Sequence, residues 1–200
     1  MQPSSLFAIL SSVAAAAAAA LAPEVSLFNG LPSGYTLGNI TWMGNVTANG
    51  PEVSFTGASF HDIEAQIRQA NPSFEWPTHD TADLPDFLNK DIEHLSCNLP
   101  QFWWAVKFRI EEGIDYLNGK TGRCYIPAGP QYCSRISCSY HSAIFWCNDN
   151  DHAVWIDCSL WSQYAQAIID KCTVDDPSQD TKGQQFSTEN WNIIVGYSEC

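Results

Sequence analysis

Basic residues are scarce in this chain. Nine Lys and Arg stand against 22 Asp and Glu, for a formal charge of −13 and a pI near 4.5. Such a surface repels phosphate backbones and anionic headgroups, which argues against nucleic-acid partners and against a basic membrane-binding patch. Cysteine is missing from residues 1–96 and plentiful after them, at Cys97, Cys124, Cys133, Cys138, Cys147, Cys158, Cys172 and Cys200. No two of these form a Cys-x-x-Cys pair, so thiol–disulfide exchange chemistry and a zinc ribbon lack their signature. The five histidines (His61, His79, His94, His141, His152) make neither a His-Glu-x-x-His nor a His-x-His pair. Ser142 follows His141 without the Gly-x-Ser-x-Gly elbow of a serine hydrolase. Asn148-Asp149-Asn150-Asp151 lacks the spaced ligands and distal Glu of a calcium loop and reads as a turn. No metal and no cofactor is expected.

Apolar and aromatic residues are abundant. Hydrophobic residues make up 45% of the chain, with eight Trp, seven Tyr and ten Phe, enough for a packed core. Met1 to Ala22 has a polar start, an apolar stretch from Leu6 to Leu21 and small residues at its end. This is the pattern of a secretory signal peptide, with cleavage expected after Ala20, or after Ala22. No second apolar run follows, so no membrane span is expected in the mature form. Asn39-Ile40-Thr41 and Asn45-Val46-Thr47 are acceptor sequons for N-linked glycan. Eight cysteines in an oxidising compartment imply up to four disulfides. Three regions follow: a signal peptide over 1–20, a cysteine-free segment over 21–96 that packs on the core, and a cysteine-rich α+β domain over 97–200.

The periodicities predict the elements. Ile40–Met43 and Val53–Phe55 read as strands. Phe60, Ile63 and Ile67 recur at helical spacing, with Ser59 as N-cap, Asp62 closing a capping box and Asn71-Pro72 as the stop. A short helix is expected over Asp86–His94 and another over Ile110–Leu117, ending at Asn118-Gly119. Phe102 to Val106 is ambiguous. If it is a strand, Trp103 and Trp104 point to opposite faces and one is exposed. Arg123–Ile126 is a strand. Ser142–Cys147 and Ala153–Cys158 read as a hairpin turning at Asn148–His152. Ser159 is expected to cap a helix whose apolar face is Leu160, Trp161, Tyr164, Ala165, Ile168, Ile169 and Cys172. Trp191–Tyr197 is a last strand. An antiparallel sheet with helices packed on one face, an α/β sandwich in the α+β class, buries all these faces. Cys172 and Cys200 stand where a bridge would clamp the last helix to the last strand.

Gly122-x-Cys124-x-Ile126, Cys147-Asn148-Asp149, the Ala-Ile-Ile helix, Gly183 and the final Trp191-Asn192-Ile193-Ile194-Val195 with Cys200 carry a resemblance. Over about the last eighty residues the chain resembles secreted cysteine-rich proteins of filamentous fungi, in particular the necrosis-inducing effector and killer-toxin-like group. That resemblance implies a small α/β sandwich acting outside the cell on a host or a competitor. It brings no catalytic residues.

The leading expectation is therefore an effector- or toxin-like protein that works by binding an extracellular protein or a cell-wall carbohydrate. Two alternatives remain. A ribonuclease-type hydrolase needs a His, a Glu and an Arg, for which His141, Glu111, Glu112, Arg109, Arg123 and Arg135 are available, with His141, Glu111 and Arg135 foremost. A carbohydrate-binding module needs exposed Trp. The first places to look for a partner are Tyr140 with His141 and the Pro127–Tyr132 loop.

Overall fold

A computed structural model describes residues 30–77, 92–100 and 102–200. Six strands build the larger sheet: β1 (Thr36–Leu37), β4 (Ile92–Ser96), β7 (Tyr132–Ser139), β8 (Ser142–Asn148), β11 (Gly183–Ser187) and β12 (Trp191–Tyr197), in the order β1-β7-β8-β12-β11-β4. Only the β1–β7 edge is parallel. A four-stranded sheet runs β3-β2-β6-β9, from β2 (Ile40–Asn45), β3 (Glu52–Gly57), β6 (Arg123–Ile126) and β9 (Val154–Asp157). A short pair joins β5 (Ala105–Val106) to β10 (Asp180–Thr181). Among the described residues three helices complete the set: α1 (Phe60–Ala70), α2 (Lys107–Leu117) and α3 (Leu160–Cys172). The class is disulfide-stabilised α+β with mostly antiparallel sheets.

The core lies between the two sheets. Ile40, Trp42, Cys124, Ile126, Val154 and Ile156 come from the smaller sheet; Ile136, Ile144, Trp146, Trp191, Ile193 and Val195 come from the larger. Phe60, Ile63 and Ile67 of α1, Ile110, Ile114 and Leu117 of α2, and the predicted face of α3 fill the same core. The six-stranded sheet is covered on its other face too, where Leu31, Leu99 and Phe102 lie over Cys133, Ala143, Phe145, Cys147 and Ile194. Burial on both faces explains the unbroken apolar runs of β8 and β12. Residues 30–77 and 92–96 thus share sheets and core with the cysteine-rich portion.

Several local expectations are corrected. Residues 86–91 of the expected helix at Asp86–His94 lie outside the described residues, and His94 sits in strand β4. Ser142–Cys147 and Ala153–Cys158 do not pair with each other. They enter different sheets, and Asn148 crosses between them by donating to the Pro127 and His152 carbonyls at 2.8 Å each. The real hairpin is β7–β8, turned by Tyr140 and His141 at φ 45° and 62°. Ser159 does not cap α3 with its hydroxyl. Its N–H and Oγ both donate to Asp157 Oδ1, at 3.0 and 2.8 Å. Trp103 and Trp104 are not on a strand, and both are exposed.

The bridges are Cys97–Cys172, Cys124–Cys158, Cys133–Cys147 and Cys138–Cys200. The expected Cys172–Cys200 clamp is therefore replaced: Cys172 ties α3 to the end of β4, and Cys200 ties back to β7. Cys133 and Cys138 are five residues apart on one strand, which in a regular strand would put them on opposite faces. A register shift between Arg135 and Ser137 restores them to the same outer face. The loops closed span 75, 34, 14 and 62 residues. Chain entropy makes each bridge worth roughly 3–4.5 kcal/mol when considered alone.

Candidate binding surface

Trp155 is exposed on the smaller sheet, whereas Trp103, Trp104, Phe108 and Tyr140 gather at one end of the six-stranded sheet. Three segments meet there. The first is the β7–β8 turn. Type I′ turns normally use Asn-Gly because both central residues take φ > 0. Here the positions are held by Tyr140 and His141. A bulky side chain in that region is strained, and such strain persists where the surroundings over-determine it. Tyr140 is also 71% exposed, so core packing does not require its ring.

The second segment, residues 99–100 and 102–104, is pinned from below. Leu99 and Phe102 are buried on the outer sheet face. Lys182, nearly buried, donates from Nζ to the carbonyls of Leu99 and Phe102, at 3.0 Å each. The same ammonium lies 4.5 Å from the Trp104 ring. Tyr197 N–H donates to the Trp103 carbonyl at 3.0 Å. With its neighbours anchored inward, the pair turns outward: Trp103 is 59% exposed and Trp104 43%.

The third segment is the first turn of α2. Arg109 Cζ lies 3.8 Å from the Tyr140 ring centroid and 4.3 Å from that of Phe108. Its Nη1 is paired with both oxygens of Glu112, at 2.8 and 3.1 Å. Tyr197, at the end of β12, joins the segments. His141 stacks on it at 5.3 Å and 12°, and Trp103 tilts against it at 5.7 Å. Ser198 N–H donates to the His141 carbonyl, and Val106 N–H donates to Ser142 Oγ, both at 3.1 Å. The result is a ledge of rings on a hydrogen-bonded, disulfide-braced base.

The three foremost catalytic candidates are not brought together; of the wider set, Arg109 and Glu112 lie on the ledge and Arg123 stands over Trp155 on the other sheet. His141 belongs to the ledge. Glu111 is paired with Lys107 at 2.7 Å. Arg135 donates to the Glu199 carbonyl at 2.6 Å and lines a cleft of about 210 Å³ with Ser59, His61, Ser137, Cys138 and Cys200. Among the described residues no hydrogen bond or ion pair links any two of the three. Of the other histidines, His61 stacks on Tyr116, His94 on Phe186, and His152 contacts Asp151. His79 lies outside the described residues. The Pro127–Tyr132 loop is at the opposite end of the β7–β8 hairpin, where Thr36 N–H donates to the Gln131 carbonyl and so attaches β1.

The sequons fall on the other layer. On β2 the residues facing away from the core are Thr41, Met43 and Asn45, and Asn39 precedes them on the exposed side. Register places Thr56, Thr41, Tyr125 and Trp155 in one row across this face, and Ser54, Met43, Arg123 and Asp157 in the next. Trp155 is 43% exposed, stands 4.6 Å from Tyr125 and is covered by Arg123 at 5.0 Å.

Two polar nodes went unseen in the sequence. Glu64 Oε1 accepts from Trp76 Nε1 at 3.2 Å and Arg68 Nη2 at 2.9 Å, while Oε2 accepts from Tyr116 Oη at 2.8 Å and lies 3.5 Å from Lys120 Nζ. Burial alone would raise this carboxyl, but the hydrogen bonds from Tyr116 and Trp76, then the Lys120 charge and Arg68, outweigh it and hold the pKa at about 2. Burial lowers the Lys120 ammonium despite the attraction of Glu64. At the far end of the larger sheet, Asp149 Oδ2 accepts from Asn192 Nδ2 at 2.6 Å and Tyr35 Oη at 3.3 Å. Gln184 Nε2 donates to Asn192 Oδ1 and Tyr35 Oη. Burial pushes the Asp149 carboxyl up; burial and the neighbouring Asp149 push the Tyr35 hydroxyl up to about 12. Both nodes join segments far apart in the chain, so no local pattern announces them.

No protein-family model, curated protein or solved structure matches this chain. Among the described residues no helix is long and apolar enough to cross a membrane, and no three His, Cys, Asp or Glu side chains gather as a metal ion would require.

Proposed function

We propose that this is an extracellular protein of the effector or toxin type that acts by binding, with the aromatic ledge as its contact surface. The observation that carries the reading is the Tyr140–His141 turn. A two-residue hairpin turn prefers Asn-Gly at this place for its own stability. Spending the positions on two ring-bearing residues with φ > 0, one of them 71% exposed, favours recognition over folding. Tyr, Trp and Arg are the residues that dominate contact energies when they are rigidly held, and all three types sit on the ledge.

Four disulfides fit an oxidising, extracellular setting, as do the signal-peptide pattern and the two sequons. Glycans on Asn39 and Asn45 would spread beside the Tyr125–Trp155 face and leave the ledge as the free aromatic surface. Against a ribonuclease-type reading, His141, Glu111 and Arg135 each have separate partners, and Arg109 and Glu112, which share the ledge with His141, are bonded to each other.

The test uses fluorescently labelled, oxidised protein on a panel of intact cells and isolated wall fractions. The expected result is surface retention that is lost in the Trp103→Ala/Tyr140→Ala double variant and kept in Trp155→Ala. Equal retention of the wild type and the double variant overturns the ledge. RNA cleavage that disappears in His141→Ala overturns binding as the mode of action.

A further inference from the structure

Resting on that reading, we propose that the ledge takes a neutral, β-linked polysaccharide chain. A β-linked pyranose presents a flat apolar face of axial C–H groups, rimmed by equatorial hydroxyls. Its receptor must offer planar rings for the face and hydrogen-bonding groups at the ring edges. The ledge has this composition. Trp103 and Tyr140 supply broad exposed planes. The Tyr140 hydroxyl and the His141 ring nitrogens supply donors and acceptors at their edges.

Charge narrows the class. Arg109 is already paired with Glu112 and covered by Tyr140 and Phe108, so it does not stand free for a phosphate or sulfate. The −13 charge of the chain repels polyanions at longer range. Rigidity points the same way. Lys182 fixes the two carbonyls below the tryptophans, and Cys97–Cys172 anchors the segment just before them. A platform ordered before the ligand arrives loses little entropy on binding, which suits a stiff, flat, repeating chain.

The experiment is sedimentation of the purified oxidised protein with insoluble cellulose, chitin and β-1,3-glucan, followed by titration of soluble oligomers of whichever is retained. Retention on at least one polymer is expected, undiminished between low and high salt. Trp103→Ala and Tyr140→Ala should each weaken it by about tenfold or more. Both side chains are exposed, and equal thermal melting of wild type and variants verifies that they fold. Trp155→Ala should bind as the wild type does. Failure to bind any of the three, equal binding by the ledge variants, or loss of binding in salt each overturns the polysaccharide assignment. If cell-surface retention still depends on the ledge while no polymer is bound, the binding function stands and its partner is a protein.

Discussion

Glu64 and Asp149 are both carboxylates drawn partly into the protein, and their surroundings treat them in opposite ways. Glu64 sits among two hydrogen-bond donors and two cations, drawn from α1, the segment after it, α2 and the loop that follows. Its charge is over-provided for, and the ionised form is favoured. Asp149 faces only neutral donors: the Asn192 amide, the Tyr35 phenol and the Gln131 backbone N–H. Its charge is under-provided for, and burial raises its pKa above the ordinary carboxylate value. Burial opposes the charge at both sites, so the number and kind of donors decides the sign.

The contrast can be broken most severely at Glu64. Glu64→Ala leaves Lys120, whose side chain is 8% exposed, without its counter-charge. The expected loss is about 3 kcal/mol or more in denaturant unfolding at pH 7. The pH dependence of stability sharpens the contrast next. Glu64 has a folded pKa of about 2, below its ordinary value of 4.5, so its contribution is present above pH 4.5 and drains away as pH falls toward 2. Glu64→Gln should flatten that slope. Asp149 has the opposite sign. Its folded pKa is raised above the ordinary 3.8, so its contribution is full below pH 3.8 and is lost as pH rises through the folded value. The stability difference between Asp149→Asn and the wild type should therefore grow in favour of the variant as pH rises. A flat difference would show that burial does not penalise this charge. The smallest effect belongs to Arg68→Ala. The Arg68 side chain is 52% exposed, and its pairing with Glu64 should be worth no more than about 0.5 kcal/mol.

Features encoded within one short window were legible in the sequence. The capping box of α1 forms as its spacing implies, with Ser59 Oγ accepting from the Asp62 N–H and Asp62 Oδ2 accepting from the Ser59 N–H. The apolar face of α3 is buried as its period predicts. Strands β6 and β12 lie where their apolar runs lie. Features that depend on what faces what were not legible. The hairpin was misplaced because Tyr140-His141 has none of the ordinary turn residues, whereas Asn148–Asp151 has several of them and spends them linking two sheets. Bridge partners depend on a register shift inside β7 that no residue type signals. Of the ledge, Tyr140, His141 and the Trp103-Trp104 pair are conspicuous in the sequence. The parts played by Phe108, Tyr197 and Lys182 follow only from how three distant segments converge.

The bridges have a consequence for survival among proteases. Cys133–Cys147 lies within Cys124–Cys158, which lies within Cys97–Cys172, while Cys138–Cys200 runs out of all three loops. The spans 97–172 and 138–200 overlap, so one hydrolysed peptide bond anywhere between Cys97 and Cys200 leaves every piece covalently attached. A cut before Cys97 has no such insurance: what keeps residues 30–77 in place afterwards is the packing of Ile40, Trp42, Phe60, Ile63 and Ile67, and the grip of Tyr116 and Lys120 on Glu64.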